Sequence, residues 1–232
     1  NGCQSLQSAT AVIYMSSTTA ACDQDDNDCY RIGTGSCVKN DCASSTDLTA
    51  GFTCTTGMKY FAIPTDDYGT TPYEPYQWES YIQVYDSNYH STTSAGVELN
   101  TGMGLEVLEE EINFGTDMVV GTDTGARNST TTIENLANSP IDTNIAGTDM
   151  TGNPAGVITV DNIEWNTSNF TYTFGTDLTN GGEDVPVGVP RPTSSGGSAD
   201  EVFWGMGIPS DADASNYTGQ NTFTVILDSD GW

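Results

Sequence analysis

The stretch Tyr76-Gln-Trp-Glu-Ser-Tyr-Ile-Gln-Val-Tyr-Asp86 decides the fold of the first half of the chain. Its side chains alternate with a period of two, so one face of an extended strand collects most of the apolar groups. That face comprises Trp78, Ser80, Ile82 and Val84, and the opposite face comprises Glu79, Tyr81, Gln83 and Tyr85. Such alternation predicts a β-strand with one side against a core.

Segments on both sides of this stretch carry similar strand signals and are bounded by Gly, Pro, Asn or Asp. In the first half we predict strands at 9–15, 53–63 and 93–99, and a small hairpin at 29–37. In the second half we predict strands at 105–112 (where a helix is the alternative), 130–135, 141–146, 157–160, 170–174, 185–189, 202–205 and 222–227. This spacing is typical of a β-sandwich.

We therefore predict an all-β protein with two tandem immunoglobulin-like antiparallel β-sandwich domains. The first domain, 1–101, is rich in cysteine, and the second is 102–232. Trp78 and Trp204 are each expected to be buried in one of the two cores.

The charge of the chain excludes some partners. Its 232 residues include 5 Lys or Arg against 32 Asp or Glu, for a formal net charge of −27. Nucleic-acid binding needs clustered basic side chains, so we expect no nucleic-acid partner. No apolar run is long enough to span a bilayer. The charge favours solubility and attracts cations. The chain starts without an initiating Met, which is compatible with a processed mature protein. Together with the cysteines described next, we predict a protein that is secreted, extracellular or on the cell surface.

All cysteines lie in the first quarter of the sequence and are even in number: Cys3, Cys22, Cys29, Cys37, Cys42 and Cys54. Dense, even cysteines predict three disulfides and an oxidising compartment, and a metal site is the alternative. We predict that Cys3 pairs with Cys54 and that the other four pair locally within 22–42.

Calcium is the cofactor that the acidic residues favour. The loop between Cys22 and Cys29 supplies hard oxygen ligands from Asp23, Asp25, Asn27 and Asp28. It lacks the Gly and Glu of an EF-hand loop, because Asp28 and Thr34 stand at those positions. The alternative is a solvated acidic loop without an ordered ion.

Four Asn-x-Ser/Thr sequons are candidate glycosylation sites in an exported protein. They are at Asn128, Asn166, Asn169 and Asn216.

The catalytic motifs that we sought are missing, so we expect the protein not to be an enzyme. The single histidine, His90, lies in the polar segment 87–92, and neither a Gly-x-Ser-x-Gly elbow nor a phosphate-binding loop occurs. Two carboxylates can hydrolyse glycosidic bonds, but in so acidic a chain close pairs of carboxylates are expected by chance and do not indicate this activity. An aromatic cluster could bind carbohydrate, and the favoured alternative is that Trp78 lies in the core with the tyrosines on an exposed strand face. The cluster comprises Tyr73, Tyr76, Trp78 and Tyr81.

The segment 9–15 is apolar on both faces and predicts a strand that needs cover on both sides. We count about five strands in 1–99, whereas an immunoglobulin-like domain has about seven. A neighbouring copy could complete the sheet by strand donation, which builds a head-to-tail filament. The alternative is an internal core strand. The assembly residues would be Ala9, Ala11, Val12, Ile13, Tyr14 and Met15.

Several segments carry a resemblance to a known group. The longest is Thr130-Thr-Thr-Ile-Glu-Asn-Leu-Ala-Asn-Ser-Pro-Ile-Asp-Thr-Asn-Ile-Ala-Gly-Thr-Asp-Met150. Shorter ones are Phe170-Thr-Tyr172, Phe203-Trp-Gly-Met-Gly-Ile-Pro209, Tyr217-Thr-Gly-Gln-Asn-Thr-Phe223, Ala11-Val-Ile-Tyr14, Asn27-Asp-Cys-Tyr30, Pro64-Thr-Asp66 and Ser94-Ala-Gly-Val-Glu-Leu99. They resemble exported immunoglobulin-like surface proteins predicted from candidate-phyla bacteria (Patescibacteria) and some archaea. A looser similarity is to extracellular sandwich proteins that form fibres.

The resemblance implies a surface-exposed pair of sandwiches and carries no established activity. Together with the composition, it leads to the hypothesis of a structural subunit of an extracellular filament or coat, with copies of itself as partners. The alternative is an adhesin or carbohydrate-binding module.

Overall fold

The computed structural model describes residues 2–44, 46–68, 71–116 and 118–232. Within these ranges all regular structure is β-strand apart from three short 3₁₀ turns at Cys3–Ser5, Thr34–Ser36 and Val160–Asn162. Every strand pairing is antiparallel. The prediction of an all-β, antiparallel protein is confirmed. No helix in this part of the chain has the length and apolarity to cross a membrane.

The chain divides into two compact units, residues 2–102 with Thr193–Ser195, and Met103–Pro192 with Gly196–Trp232. The first unit contains β1 (Ser8–Met15), β2 (Cys29–Ile32), β3 (Cys37–Asn40), β4 (Gly51–Cys54), β5 (Trp78–Tyr85) and β6 (Tyr89–Thr93). They form a four-stranded sheet of order β2-β1-β5-β6 and a separate hairpin, β3-β4. The division of the chain into domains 1–101 and 102–232 stays a prediction.

The core of the first unit lies around Trp78, which is 2% exposed. Its indole N–H donates to the Ile63 carbonyl at 2.9 Å, and its ring packs against Tyr30 with centroids 5.8 Å apart. The hydrogen bond satisfies the one polar group of the indole, so the ring can be buried without an unpaired donor.

The second unit contains the remaining strands. They are β7 (Leu105–Val107), β8 (Ser129–Asn135), β9 (Ile141–Gly147), β10 (Met150–Asn153), β11 (Val157–Ile158), β12 (Ile163–Asn166), β13 (Thr176–Asp177), β14 (Glu183–Val189), β15 (Ala199–Met206), β16 (Asn216–Thr218) and β17 (Asn221–Leu227). The sheets have the orders β13-β12-β15-β8-β7, β14-β9-β17 and β11-β10-β16.

One core lies between the five-stranded sheet and the β14-β9-β17 sheet, as in a β-sandwich. Period-two alternation fills it: in β9, Ile141, Thr143 and Ile145 are buried while Asp142 and Asn144 are half-buried. Trp204 is fully buried and donates its indole N–H to the Thr131 hydroxyl at 2.9 Å. The predicted burial of Trp78 and Trp204 is therefore confirmed.

Five predicted strands are wrong in extent or place, among them 157–160, of which only Val157–Ile158 is a strand. Of 53–63 only the first two residues are in a strand, and 105–112 is a strand only to Val107. The segment 170–174 is a loop, and the strand predicted at 93–99 lies instead at 89–93. The predicted hairpin at 29–37 is not formed, because β2 pairs with β1 and β3 pairs with β4. In each case the partner is set by contacts distant in sequence, which local patterns do not encode.

Candidate functional site

The three disulfides join Cys3 to Cys42, Cys22 to Cys29, and Cys37 to Cys54. The prediction of three bridges is confirmed, and the predicted Cys3–Cys54 pairing is wrong. Cys54 lies opposite Cys37 in the β3–β4 register, so the hairpin brings those two together and leaves Cys3 for Cys42. The loops closed by Cys3–Cys42 and Cys37–Cys54 overlap in sequence.

The acidic loop between Cys22 and Cys29 is folded tightly on itself. Asp25 and Cys29 exchange backbone hydrogen bonds of 2.9 and 2.8 Å. The Asp25 carboxylate accepts from the Asn27 backbone N–H and side-chain amide, both at 2.9 Å. Burial, and then the neighbouring Asp25 charge, raise the pKa of Asp28. The Asn27 amide nitrogen therefore donates to a carboxylate of its own loop.

Across the described ranges, no group of three or more His, Cys, Asp or Glu side chains is arranged to hold a metal ion. Asp23 and Asp25 are exposed, and Asn27 and Asp28 are half-buried. Calcium binding by this loop stays a prediction to which the loop geometry adds no support.

The predicted assembly strand lies at the centre of its sheet. β1 pairs with β5 along its whole length, from Ser8 to Met15, and with β2 from Ala11 to Tyr14. Both of its edges are thus bonded within the same chain, which corresponds to the alternative of an internal core strand. The strand count did not reveal this because β6 was interpreted as a polar turn.

β6 is an edge strand with all five side chains exposed. It pairs with β5 on one side, and no other strand pairs with it in the part of the chain that the structure describes. Asp86, Ser87 and Asn88 form the short loop between the strands, and Ser87 has a φ of 132°. His90 contacts the Asp86 carboxylate at 3.2 Å, which fixes the loop further and gives no sign of a catalytic role.

The register shows which backbone groups of β6 face outward. Ser94 donates its N–H to the Ser80 carbonyl at 2.8 Å, just beyond the last paired residues. Because hydrogen-bonded positions alternate along an antiparallel pair, 92 and 90 also face β5. The N–H and C=O groups of Tyr89, Ser91 and Thr93 therefore point away from the sheet.

The opposite edge of this sheet is covered. The outward N–H of Arg31 in β2 donates to the side-chain oxygen of Gln24 at 2.7 Å. The Arg31 guanidinium bonds the Cys22 carbonyl at 2.5 Å, within the disulfide-closed loop. The four-stranded sheet therefore has one covered edge and one open edge.

Trp78 of the aromatic cluster is not exposed to a sugar. Trp78 is in the core, and Tyr81 packs against the cluster of Val12, Tyr14 and Cys29. A ring that stacks on a carbohydrate needs an exposed face, which Trp78 lacks.

The four sequons differ in their surroundings. The Asn128 side chain accepts from the Phe170 N–H at 3.0 Å and donates to the Trp204 carbonyl at 3.4 Å, so it is tied into the fold. Asn166 accepts from Ser168 N–H at 3.3 Å. Asn169 and Asn216 are exposed. Glycosylation stays a prediction at all four, with the best access at Asn169 and Asn216.

No family model, no curated protein and no solved structure matches the chain.

Proposed function

We propose that the protein is a structural subunit of an extracellular coat or filament, exported to an oxidising compartment and built from two tandem immunoglobulin-like sandwiches. Copies associate when a strand of one adds to the open edge of β6 in another. The role is mechanical and not catalytic. The family resemblance, the three disulfides and the β-rich fold are the supports for this proposal.

The open edge of β6 is the observation that carries the proposal. Proteins that avoid edge-to-edge association place Lys, Pro or a bulge on such strands. β6 reads Tyr-His-Ser-Thr-Thr and has none of these. By contrast, β14 at an edge of the second unit carries Pro186 and an irregular register between Val185 and Val189.

Assembly by this route depends on salt, because each copy has a formal charge of −27. At low ionic strength the copies repel one another, and screening shortens that repulsion to about 8 Å at physiological salt. Strand addition is therefore expected above, and not below, about 0.1 M salt.

The test is Ser91→Pro, compared with Ser91→Ala. The outward N–H of Ser91 takes no part in its own sheet, so proline removes a donor from the free edge while the monomer stays folded. The alanine control keeps the donor. Sedimentation and electron microscopy at about 0.15–0.5 M salt are expected to find assemblies for the parent and for Ser91→Ala, and folded monomers for Ser91→Pro.

The form of the assembly follows from which edge pairs with β6. If β6 pairs with its own copy across a two-fold axis, association stops at a dimer, whereas pairing with a different edge propagates into a filament. A parent protein that stays monomeric throughout, or a Ser91→Pro variant that assembles as the parent does, would contradict the proposal.

A further inference from the structure

A cleft of about 250 Å³ opens in the second unit, lined by residues 113–115, 124 and 127–129. Phe114 forms an apolar part of its lining and is itself packed against the core. Ser129 begins β8, and its hydroxyl donates to the Asn113 carbonyl at 2.6 Å, so the two sides of the cleft are tied together. Among the described residues, the lining contains no Asp or Glu, although acidic residues outnumber basic ones 32 to 5 in this chain.

Arg127 gives this cleft a positive charge. One terminal nitrogen of its guanidinium donates to the Phe114 carbonyl at 3.2 Å and lies 3.3 Å from the Met118 sulfur. No carboxylate of the described ranges lies within 4 Å of the guanidinium. The ion pair that these ranges do contain joins His90 to Asp86 in the first unit. Two of the five N–H donors of the guanidinium are accounted for at most, so the Nε and Nη1 groups remain for a ligand.

Four oxygens around the cleft each already accept one hydrogen bond. Phe114 O accepts from Arg127, and Asn113 O accepts from Ser129. The Asn113 side-chain oxygen accepts from the Gly115 N–H at 2.8 Å, and the Asn128 side-chain oxygen accepts from Phe170. The bond from the Gly115 N–H fixes the orientation of the Asn113 amide, so the NH₂ group of that amide remains to donate to a ligand. The cleft therefore offers more donors than acceptors.

From this balance we infer that the cleft binds a carboxylate group, held by the Arg127 guanidinium and the Asn113 amide. A planar oxyanion matches the fork of a guanidinium and accepts hydrogen bonds without needing an acceptor in return. The volume suits a group the size of one sugar acid or one acidic side chain. The long-range field of a −27 chain opposes each negative charge that approaches, which favours a monoanion over phosphate or a polyanion.

The carboxylate can come from a free small acid or from an Asp or Glu side chain of a second copy, and two measurements separate these sources. The first titrates sodium glucuronate into the ¹⁵N-labelled protein, with glucose as the neutral control of the same ring size. Saturable shifts of the Gly115 and Ser129 amides by glucuronate alone indicate the free acid. Arg127→Gln is expected to weaken this binding by about tenfold or more, because it removes the charged hydrogen bonds.

The second measurement is sedimentation of the parent and Arg127→Gln without added acid. Weaker self-association of the variant, together with no glucuronate shift in the parent, assigns the carboxylate to a second copy. Arg127→Lys guards against loss of folding: it keeps the charge and can still reach the Phe114 carbonyl, and we expect it to bind more weakly than the parent and more tightly than Arg127→Gln. If glucuronate causes no shift and self-association is unchanged in Arg127→Gln, the inference is overturned.

Discussion

Cys37 of β3 and Cys54 of β4 lie directly opposite each other in a two-stranded sheet, with Cα atoms 4.0 Å apart, and a disulfide joins them. The hairpin around them has little apolar support, since Val38 is 63% exposed and Phe52 is half-buried. Two strands without a core are barely stable in water. The covalent bond, rather than hydrophobic burial, therefore maintains this pairing.

Replacing Cys37 and Cys54 together by serine is expected to destabilise the first unit by about 3 kcal/mol. The bond closes a loop with a sequence separation of 17, whereas Cys22–Cys29 has a separation of 7. Cys22→Ser with Cys29→Ala is the matched control, because a serine hydroxyl at the fully buried Cys29 would lose its hydrogen bonds. It should cost about 2 kcal/mol, because a shorter loop has less entropy to lose. Urea unfolding followed by circular dichroism measures both, and the reverse order would contradict this explanation.

Glu109 stabilises the end of the β7–β8 pair. Its carboxylate accepts from the backbone N–H and the hydroxyl of Thr132, at 2.5 and 2.8 Å. Burial acts to raise the pKa of Glu109, but these hydrogen bonds outweigh it and the pKa lies below its ordinary value.

Because the folded pKa of Glu109 is depressed, its contribution is present above the unfolded value near 4.5 and is lost as pH falls through the folded value. Glu109→Gln should lower the free energy of unfolding by about 1 kcal/mol at neutral pH, after allowance for solvent. The difference from the parent should shrink in acid. Thermal melts at pH about 7 and about 3 test this, with the exposed neighbour Glu110→Gln as the control that should change little.

The loop 171–175 is held in a strained conformation by a buried acid. Glu164 is 5% exposed, and one carboxylate oxygen accepts from the Thr173 and Gly175 N–H groups at 2.8 and 2.9 Å. Thr173 has a φ of 82°, which is unfavourable for a β-branched residue. The loop leaves Phe174 77% exposed.

Thr173→Gly should therefore stabilise the protein by up to about 1 kcal/mol, since glycine accepts a positive φ without strain. Thr171→Gly, at a position without positive φ, is the control and should destabilise slightly. Glu164→Ala should cost about 2 kcal/mol or more, because two backbone donors lose their partner. Differential scanning calorimetry separates the three, and destabilisation by Thr173→Gly would show that the strain is compensated elsewhere.

Tyr172 should ionise only well above the ordinary pKa of tyrosine. Burial, and then the charges of Glu164 and Asp177, raise its pKa to about 12. A raised folded pKa gives stability that is complete below the unfolded value of 10 and is lost as pH rises through the folded value. Stability should therefore decline between pH 10 and about 12, and less so in Tyr172→Phe. Phenolate absorbance and unfolding in the same pH range measure this, with the exposed Tyr68→Phe as the control.

These carboxylates explain where sequence patterns succeeded and where they failed. Alternation found β9 and β14, because in those strands burial of every second side chain decides the conformation. It also found β5, although there only Trp78 is buried and the other side chains are half-buried on both faces. The segment 170–174 alternates equally well, but Glu164 takes the N–H groups that a neighbouring strand would need. The Glu109 carboxylate likewise accepts from the Thr132 N–H, where a longer β7 would have offered a backbone carbonyl, so β7 stops at Val107.

Features without burial left no signal in the sequence. β6 is exposed at every position, so no apolar period marks it, and the loop before it was interpreted as part of a longer turn. The disulfide pairing depends on the β3–β4 register, and spacing alone leaves 15 connectivities for six cysteines. The Arg127 cleft is distinguished by a lining whose described residues include no acid, which only the fold can reveal.

The overlap of the Cys3–Cys42 and Cys37–Cys54 loops has a mechanical consequence. The shortest covalent path from Cys3 to Cys54 crosses both bridges and only the backbone between Cys42 and Cys37. Stretched out, it measures about 30 Å, against about 180 Å for the same residues without bridges. The segment from Cys3 to Cys54 would therefore extend very little when the first unit is pulled. Any lengthening would have to begin beyond Cys54.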